Sequence, residues 1–176
     1  MTRDIRITQL DAETLRARTT DLGALLHACV LDGASIGFIL PFTAAEADDF
    51  WRLKVLPGVE QGTRIVLLAE EAGSVIGTVQ LDYDTPGNQR HRAEVRKLLV
   101  HPDWRRRGIG KVLMHAIETH ASRLGRSLIT LDTRTGDAAE PLYKALGYRV
   151  AGVIPDYCRD TIVDRLDSTT VMYKSL

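Results

Sequence analysis

The chain has 176 residues, of which 44% are hydrophobic and 26% charged; this suits a single folded domain with a sizeable core and excludes a disordered chain. Its 23 Lys and Arg balance 23 Asp and Glu, so no global positive field gathers nucleic acid or an anionic membrane, and any anion site must be local. The two cysteines, Cys29 and Cys158, lie far apart without CxxC spacing, which argues for reduced thiols and against a disulfide framework or a zinc cluster.

The N-terminal segment has no apolar run of signal-peptide length, and no stretch approaches the roughly 18 apolar residues of a membrane span, so a cytoplasmic protein is expected. Residues 4 to 9 alternate like a short strand. From Asp11 to Leu31 the apolar positions Leu15, Leu22, Leu25, Leu26 and Val30 are spaced as in an amphipathic helix, with a break expected near Thr19 to Asp21. The segment Asp32 to Pro41 carries turn formers and reads as a loop. Thr43 and Glu46 have capping-box spacing and open a second helix, whose inner face would be Phe50, Leu53 and Leu56 and which would end before Pro57 and Gly58.

Strand signals follow at Arg64 to Glu70, Val75 to Tyr83 and Arg92 to Val100, an antiparallel meander. A clean helix comes next, its face marked by Ile109, Val112, Leu113, Ala116, Ile117, His120, Ala121 and Leu124, with Gly125 where a C-terminal cap belongs. The chain closes with a strand at Ser127 to Asp132, a helix at about Asp137 to Leu146, and strands at Tyr148 to Ile154 and Thr169 to Tyr173. The fold class is α/β, with a mixed sheet.

The most informative stretch is Arg105-Arg106-Arg107-Gly108-Ile109-Gly110-Lys111, which joins a strand to the start of the best helix. Unpaired amides at a helix N-terminus carry the positive end of the macrodipole, and two glycines let a pyrophosphate approach the backbone. A tight turn with a solvated basic run is the alternative reading. Leu113 stands where a dinucleotide fingerprint needs its third glycine, and Val112 where a Walker loop needs Ser or Thr, so neither NAD nor ATP is supported.

Three motifs in order, EVRKLLVHP at 94 to 102, Arg105-x-x-Gly108-x-Gly110, and LYxxLGY at 142 to 148, resemble the GCN5-related N-acetyltransferases. The resemblance implies a mixed, mostly antiparallel sheet of about six or seven strands with about four flanking helices, splayed between two parallel strands that hold acetyl-coenzyme A. It implies that the backbone of Leu98, Leu99 and Val100 holds the acetyl group and the pantetheine arm, and that Arg105, Arg106, Arg107, Gly108, Ile109, Gly110 and Lys111 hold the pyrophosphate. Gly136 stands where many members carry an asparagine. DGASIGF at 32 to 38, RAEVRKLLV at 92 to 100, LDTRTG at 131 to 136 and IPDYC at 154 to 158 narrow the likeness to members that detoxify a β-lactam amino acid.

Acyl transfer to an amine needs a base, an oxyanion stabiliser and a proton for the leaving thiolate. Glu94 and Asp132 are the candidate bases, and Tyr143 the candidate acid. The competing readings are a Glu94 carboxylate paired with Arg92 or Arg96, an Asp132 bound to Thr133 or Arg134, and a Tyr143 that only packs. Cys158 lacks a recognisable histidine partner, so direct transfer is preferred to an acyl-enzyme. The histidines show no metal-ligand spacing, and no metal is expected. Asp32, Ser35, Phe38 and Tyr157 are the candidate substrate contacts, with helix capping as the alternative for Asp32 and Ser35. A small amine, in amino-acid-like form, is the leading acceptor. A protein or peptide acceptor and a non-catalytic acyl-coenzyme A sensor are the alternatives, in a monomer or homodimer without nucleic-acid or membrane partners.

Overall fold

The computed structural model describes residues 5–176. Its strands are β1 (Arg6–Gln9), β2 (Arg64–Glu71), β3 (Ser74–Asp82), β4 (Arg92–Val100), β5 (Leu128–Arg134), β6 (Arg149–Arg159) and β7 (Leu166–Ser175). Its helices are α1 (Ala12–Ala17), α2 (Thr19–Leu31), α3 (Ala44–Phe50), α4 (Leu56–Glu60), α5 (Ile109–Arg123) and α6 (Ala139–Ala145). The seven strands form one sheet in the order β1-β2-β3-β4-β5-β7-β6, in which only β4 and β5 run parallel. The expected mixed, mostly antiparallel α/β sheet is therefore the one found. Of the strand expected at residues 4 to 9, Asp4 lies outside the described residues.

Two apolar layers sandwich the sheet. Ile65, Leu67 and Ala69 of β2 face α5, where Ile109, Leu113, Met114 and Ile117 share their apolar cluster. Val66 and Leu68 face the other way, onto Leu22, Leu26, Ala47 and Trp51 of the helices before the meander. Burial on both faces explains why this strand is a continuous apolar run rather than an alternating one.

Several sequence expectations shift locally. The break between α1 and α2 falls at Arg18, whose guanidinium turns inward to Glu70 at 2.7 Å. The helix opened by the Thr43 and Glu46 capping box does not stop before Pro57; it passes through a π turn at Trp51–Val55 into α4, where Pro57 occupies the first turn and needs no N–H donor. The π turn rotates the inner face, so Ala47, Trp51 and Val55 are buried while Leu53 is 65% exposed. On α5, Met114 and Glu118 are buried and Val112 and Leu124 exposed, because Lys174 meets the Glu118 carboxylate at 2.7 Å and lets that face turn inward. β6 and β7 are longer than expected; a register shift around residues 155 to 157 carries β6 on to Arg159.

Two helices that shape the site end in the same cap. Beyond α5, Gly125 at φ +69° lets its own N–H reach Ser122 O and the Arg126 N–H reach Ala121 O. Beyond α6, Gly147 at φ +89° lets the Tyr148 N–H reach Tyr143 O. These are Schellman closures, which need a residue free to adopt the left-handed region. The LGY end of the last motif is thus a helix stop that fixes the turn carrying Tyr143.

Candidate active site

The site begins where two parallel strands part. β4 pairs with β5 only from Arg92 to Glu94, opposite Leu128 to Thr130; beyond this β5 pairs with β7 alone. At the same place two β4 residues, Lys97 and Leu98, oppose the single Val79 of β3, and Lys97 takes φ +49°. Such a bulge inserts one residue and switches the facing of everything after it. Ala93 and Val95 accordingly pack toward α5, whereas Leu99 joins the opposite core. The His101 N–H bonds Ile76 O across the register pair Gly77 and Val100. In an antiparallel ladder that leaves the Val100 N–H and C=O, and by alternation those of Leu98, pointing toward β5 across the gap. Leu99 points its backbone back into β3, so its expected cofactor contact is not formed by hydrogen bonding from that edge.

The gap opens onto the basic loop. Gly108 is the N-cap of α5, held at φ +81° and ψ 0°, and no side chain caps the helix. Arg106 is also left-handed, at φ +61°. The first-turn amides of α5 are therefore offered outward, and a Cβ placed on Gly108 would meet nothing within 4 Å. A Cβ on Gly110 would come within 3.2 Å of Leu142 and 3.9 Å of Leu98 and Val100, which marks the narrow throat between loop, strand and α6. These features fit a diphosphate-bearing group whose arm runs along the β4 edge.

A single cleft of about 820 Å³ holds most of the predicted residues: Glu94, Asp132 and Tyr143, the β4 segment Leu98 to Val100, and Arg105, Arg106 and Gly108 to Lys111. Asp32, Ser35 and Tyr157 line it as well. Arg107 and Phe38 do not. The Arg107 guanidinium stacks over Trp104, 4.7 Å from its centroid, and Phe38 packs against Phe42 and Phe50 at 4.6 and 5.4 Å.

The three proposed chemical groups sit on two sides of the sheet. Glu94 shares its face with Arg96, which bonds it at 3.1 Å, one of the pairings weighed from the sequence. Asp132 accepts a hydrogen bond from Thr169 Oγ1 at 3.0 Å, a partner that its neighbours in sequence did not suggest. Tyr143 comes from α6 on the α5 side, 6% exposed, its ring edge-on to Tyr148 at 5.8 Å. Its hydroxyl has no hydrogen-bond partner among the described residues. Burial, reinforced by the Asp132 and Asp137 carboxylates, raises its pKa well above the ordinary phenol value.

The end of the cleft away from α6 is walled by segments distant in sequence. Asp32 forms an ion pair with Arg105, whose Nε also reaches Val100 O at 3.3 Å. Cys29 gives the same carbonyl a longer contact at 3.5 Å; burial pushes its thiol up to about 11. Ser35 Oγ lies 3.6 Å from Cys158 Sγ, Thr161 Oγ1 donates to Ala34 O at 2.9 Å, and the Leu40 N–H donates to Thr161 O at 3.0 Å. Asp160 anchors that hairpin tip: it accepts the Ile162 and Val163 amides and meets Arg134 and Arg165, which holds its carboxyl down to about 2. The sequence reading missed Arg96, Lys97, Arg134 and Thr169 in this cleft. Arg96 and Lys97 fall inside EVRKLLVHP and Arg134 inside LDTRTG, but nothing in those motifs signals that their side chains reach the cleft, and Thr169 stands in no motif. Among the described residues no group of His, Cys, Asp and Glu is placed to hold a metal, and no helix is long and apolar enough to cross a membrane.

A model of the acetyltransferase (GNAT) family matches residues 37–148, a span that includes β2 to β5, α5 and α6. Among solved structures, YncA from Salmonella typhimurium with its cofactor acetyl-CoA is 22% identical, with a TM-score of 0.78 over 98% of this chain and 94% of that one. A phosphinothricin acetyltransferase from Sinorhizobium meliloti in complex with acetyl-CoA is also 22% identical, with a TM-score of 0.77 over 100% of this chain and 89% of that one. A ribosomal-protein-alanine N-acetyltransferase from Brucella melitensis is 21% identical, with a TM-score of 0.77 over 97% of this chain and 99% of that one.

Proposed function

This chain belongs to the acetyltransferase (GNAT) family, and we propose that it passes the acetyl group of acetyl-CoA directly to the amine of a small amino-acid-like molecule. It is an acetyltransferase, and acetyl-CoA is its co-substrate. The observation that carries the finer reading is the convergence, in one cleft, of the uncapped α5 amides, the Leu98 and Val100 backbone edge that β5 no longer pairs, and Glu94, Asp132 and Tyr143.

In this reading the amides around Gly108 to Lys111 hold the pyrophosphate, and the β4 edge holds the arm and the acetyl carbonyl. The Leu98 N–H polarises that carbonyl, a donation that strengthens as negative charge gathers on its oxygen. An ammonium acceptor, with an unperturbed pKa of about 10.4, must lose a proton before it can attack. Glu94 pairs in register with Thr130, and Asp132 lies two residues further along β5. At about 3.3 Å per strand residue this offsets the carboxylates by about 7 Å along the sheet, a spacing that suits a water between them better than direct contact. The amine nitrogen bonds the acetyl carbon, the carbon–sulfur bond breaks, the amine proton leaves through the carboxylate pair, and Tyr143 serves the sulfur. A phenol whose proton is held this firmly gives it up late, and until then it stabilises the sulfur's charge as a hydrogen-bond donor.

The tied acceptor wall supports a small acceptor over a long peptide, because Thr161, Leu40 and Lys97 draw the loop and hairpin in over the cleft end. The likeness of residues 32 to 38, 92 to 100, 131 to 136 and 154 to 158 to the tabtoxin resistance protein supports the same class and puts a β-lactam amino acid toxin first among acceptors. The test is a thiol-release assay across amino acids, β-lactam amino acids, aminoglycosides, polyamines and peptides, beside calorimetry with acetyl-CoA. Saturable turnover of an amino-acid-like amine is the expected result. Preferential turnover of a peptide, or heat of binding with no turnover of any amine, would replace this reading with a peptide acetyltransferase or an acyl-CoA sensor.

A further inference from the structure

Lys97 follows the carboxylate and guanidinium that face the acceptor side, and it immediately precedes Leu98, yet neither the proposed chemistry nor the cradle uses it. Its backbone is the left-handed residue of the β4 bulge, at φ +49°, a conformation uncommon for a residue with a side chain. Its Nζ donates to Ile36 O at 2.6 Å and sits 5.8 and 5.7 Å from the centroids of Phe38 and Phe50. It forms no ion pair with a carboxylate among the described residues. Burial and the Arg96 guanidinium lower the pKa of its ammonium. A half-buried lysine held by one carbonyl and two aromatic faces is spending its charge on geometry rather than on a salt link.

That geometry joins two parts of the machinery. At one end Lys97 is the inserted residue that turns the Leu98 backbone toward the gap. At the other it holds Ile36 at the middle of the loop from Asp32 to Phe38, beside Gly37, whose Cβ position lies 3.7 Å from Nζ. The loop's start is tied by the ion pair of Asp32 with Arg105, and Ala34 is tied by Thr161. We infer that Lys97 is a positioning residue that fixes the acceptor loop against the acetyl-binding strand, and so sets where the acceptor amine meets the thioester. This rests on the acceptor-side reading of the loop given above.

The test compares the full-length protein with Lys97→Met, which keeps the stem and loses the donor, and Lys97→Arg, which keeps a donor. Losing one hydrogen bond of about 1.4 kcal/mol corresponds to about a tenfold change in an equilibrium. Lys97→Met should raise the acceptor KM about tenfold with a much smaller change in kcat, leave acetyl-CoA affinity by calorimetry within about twofold, and quicken hydrogen exchange of amides 33 to 37 by about tenfold. Lys97→Arg should recover most of each loss. An unchanged KM and unchanged exchange would overturn the inference; so would a raised KM with unchanged exchange, which would make Lys97 a direct acceptor contact. Exchange is measured without acceptor, so it still decides the loop's anchoring if no amine is turned over and the functional reading itself fails. Should Lys97→Met not fold, Lys97→Leu, which likewise lacks a donor, gives the same readings.

Discussion

The cradle and the acceptor wall bound the same cleft and are built in opposite ways. The cradle takes its groups from the consecutive residues Arg105 to Lys111 and uses mainly their backbone: left-handed Arg106 and Gly108, and amides that no side chain caps. The wall takes single side chains from residues more than a hundred positions apart, such as Ser35 with Cys158 and Thr161 with Ala34. Helix starts show the same division. α3, under the wall, begins with a complete capping box, whereas α5, at the cradle, begins with a bare glycine. A helix whose amides are kept for a ligand forgoes the stabilisation of a cap, and one that only supports a wall takes it.

The comparison is broken most sharply at Tyr143, which belongs to neither region and reaches the junction from α6. Tyr143→Phe should lower kcat by about a hundredfold or more, the usual scale for a lost proton donor, with acetyl-CoA affinity unchanged. A loss of affinity with kcat intact would make Tyr143 part of the cradle instead. Tyr143 and Phe share the ring packed on Tyr148, so the fold provides its own control.

Next in size is Gly108→Val. A branched side chain in the left-handed region costs about 1–2 kcal/mol, and it would also stand beside the uncapped amides proposed to hold the pyrophosphate. Acetyl-CoA affinity by calorimetry should fall by more than about tenfold, while the acceptor KM, read at saturating acetyl-CoA, should move little. Equal effects on both ligands would mean that cradle and wall are one unit.

This contrast also accounts for what could be read from the chain. The turn at the cradle was legible because it is a matter of local conformation: glycines at the right offsets before an amphipathic helix specify the turn and the uncapped amides whatever surrounds them. The meander, α5 and the Gly125 stop were legible for the same reason. Lys97, Arg134 and Thr169 were not, since each acquires its place only when a bulge or a strand register brings it to the cleft. The run of α3 into α4 was lost because Pro57 reads as a helix end, and only the π turn before it makes that proline a beginning. Phe38 reads as a binding aromatic from its loop, but its half-buried ring packs against Phe42 and Phe50 and does not line the cleft.

The wall's dependence on ionic anchors gives it a pH response that the backbone-built cradle lacks. Asp160 has its pKa lowered from 3.8 to about 2, first by the Val163 and Ile162 amides and then by Arg165 and Arg134. A carboxylate with a depressed folded-state pKa contributes stability that is fully present above its unfolded value and is lost as pH falls through the folded one. The gap in melting temperature between the wild type and Asp160→Asn should therefore be constant near neutrality and close as pH falls from about 4 toward about 2. A gap that persists to the acid end would mean that packing, not charge, holds the hairpin tip.

The smallest effect tests the helix starts themselves. Thr43 Oγ1 accepts the Glu46 N–H at 3.2 Å, and the Glu46 carboxylate returns to the Thr43 N–H at 2.7 Å, which lowers the glutamate's pKa. Thr43→Ala removes the acceptor and should cost about 1 kcal/mol, or a melting temperature lower by about 2–4 °C for a chain of this size. Acetyl-CoA affinity should be unchanged, because α3 touches the cofactor side nowhere and its last turn only backs Phe50 against Lys97. If the same substitution weakened the cofactor measurably, strain would be passing from the wall through Lys97 into the bulge, and the two regions would be coupled through the residue that joins them.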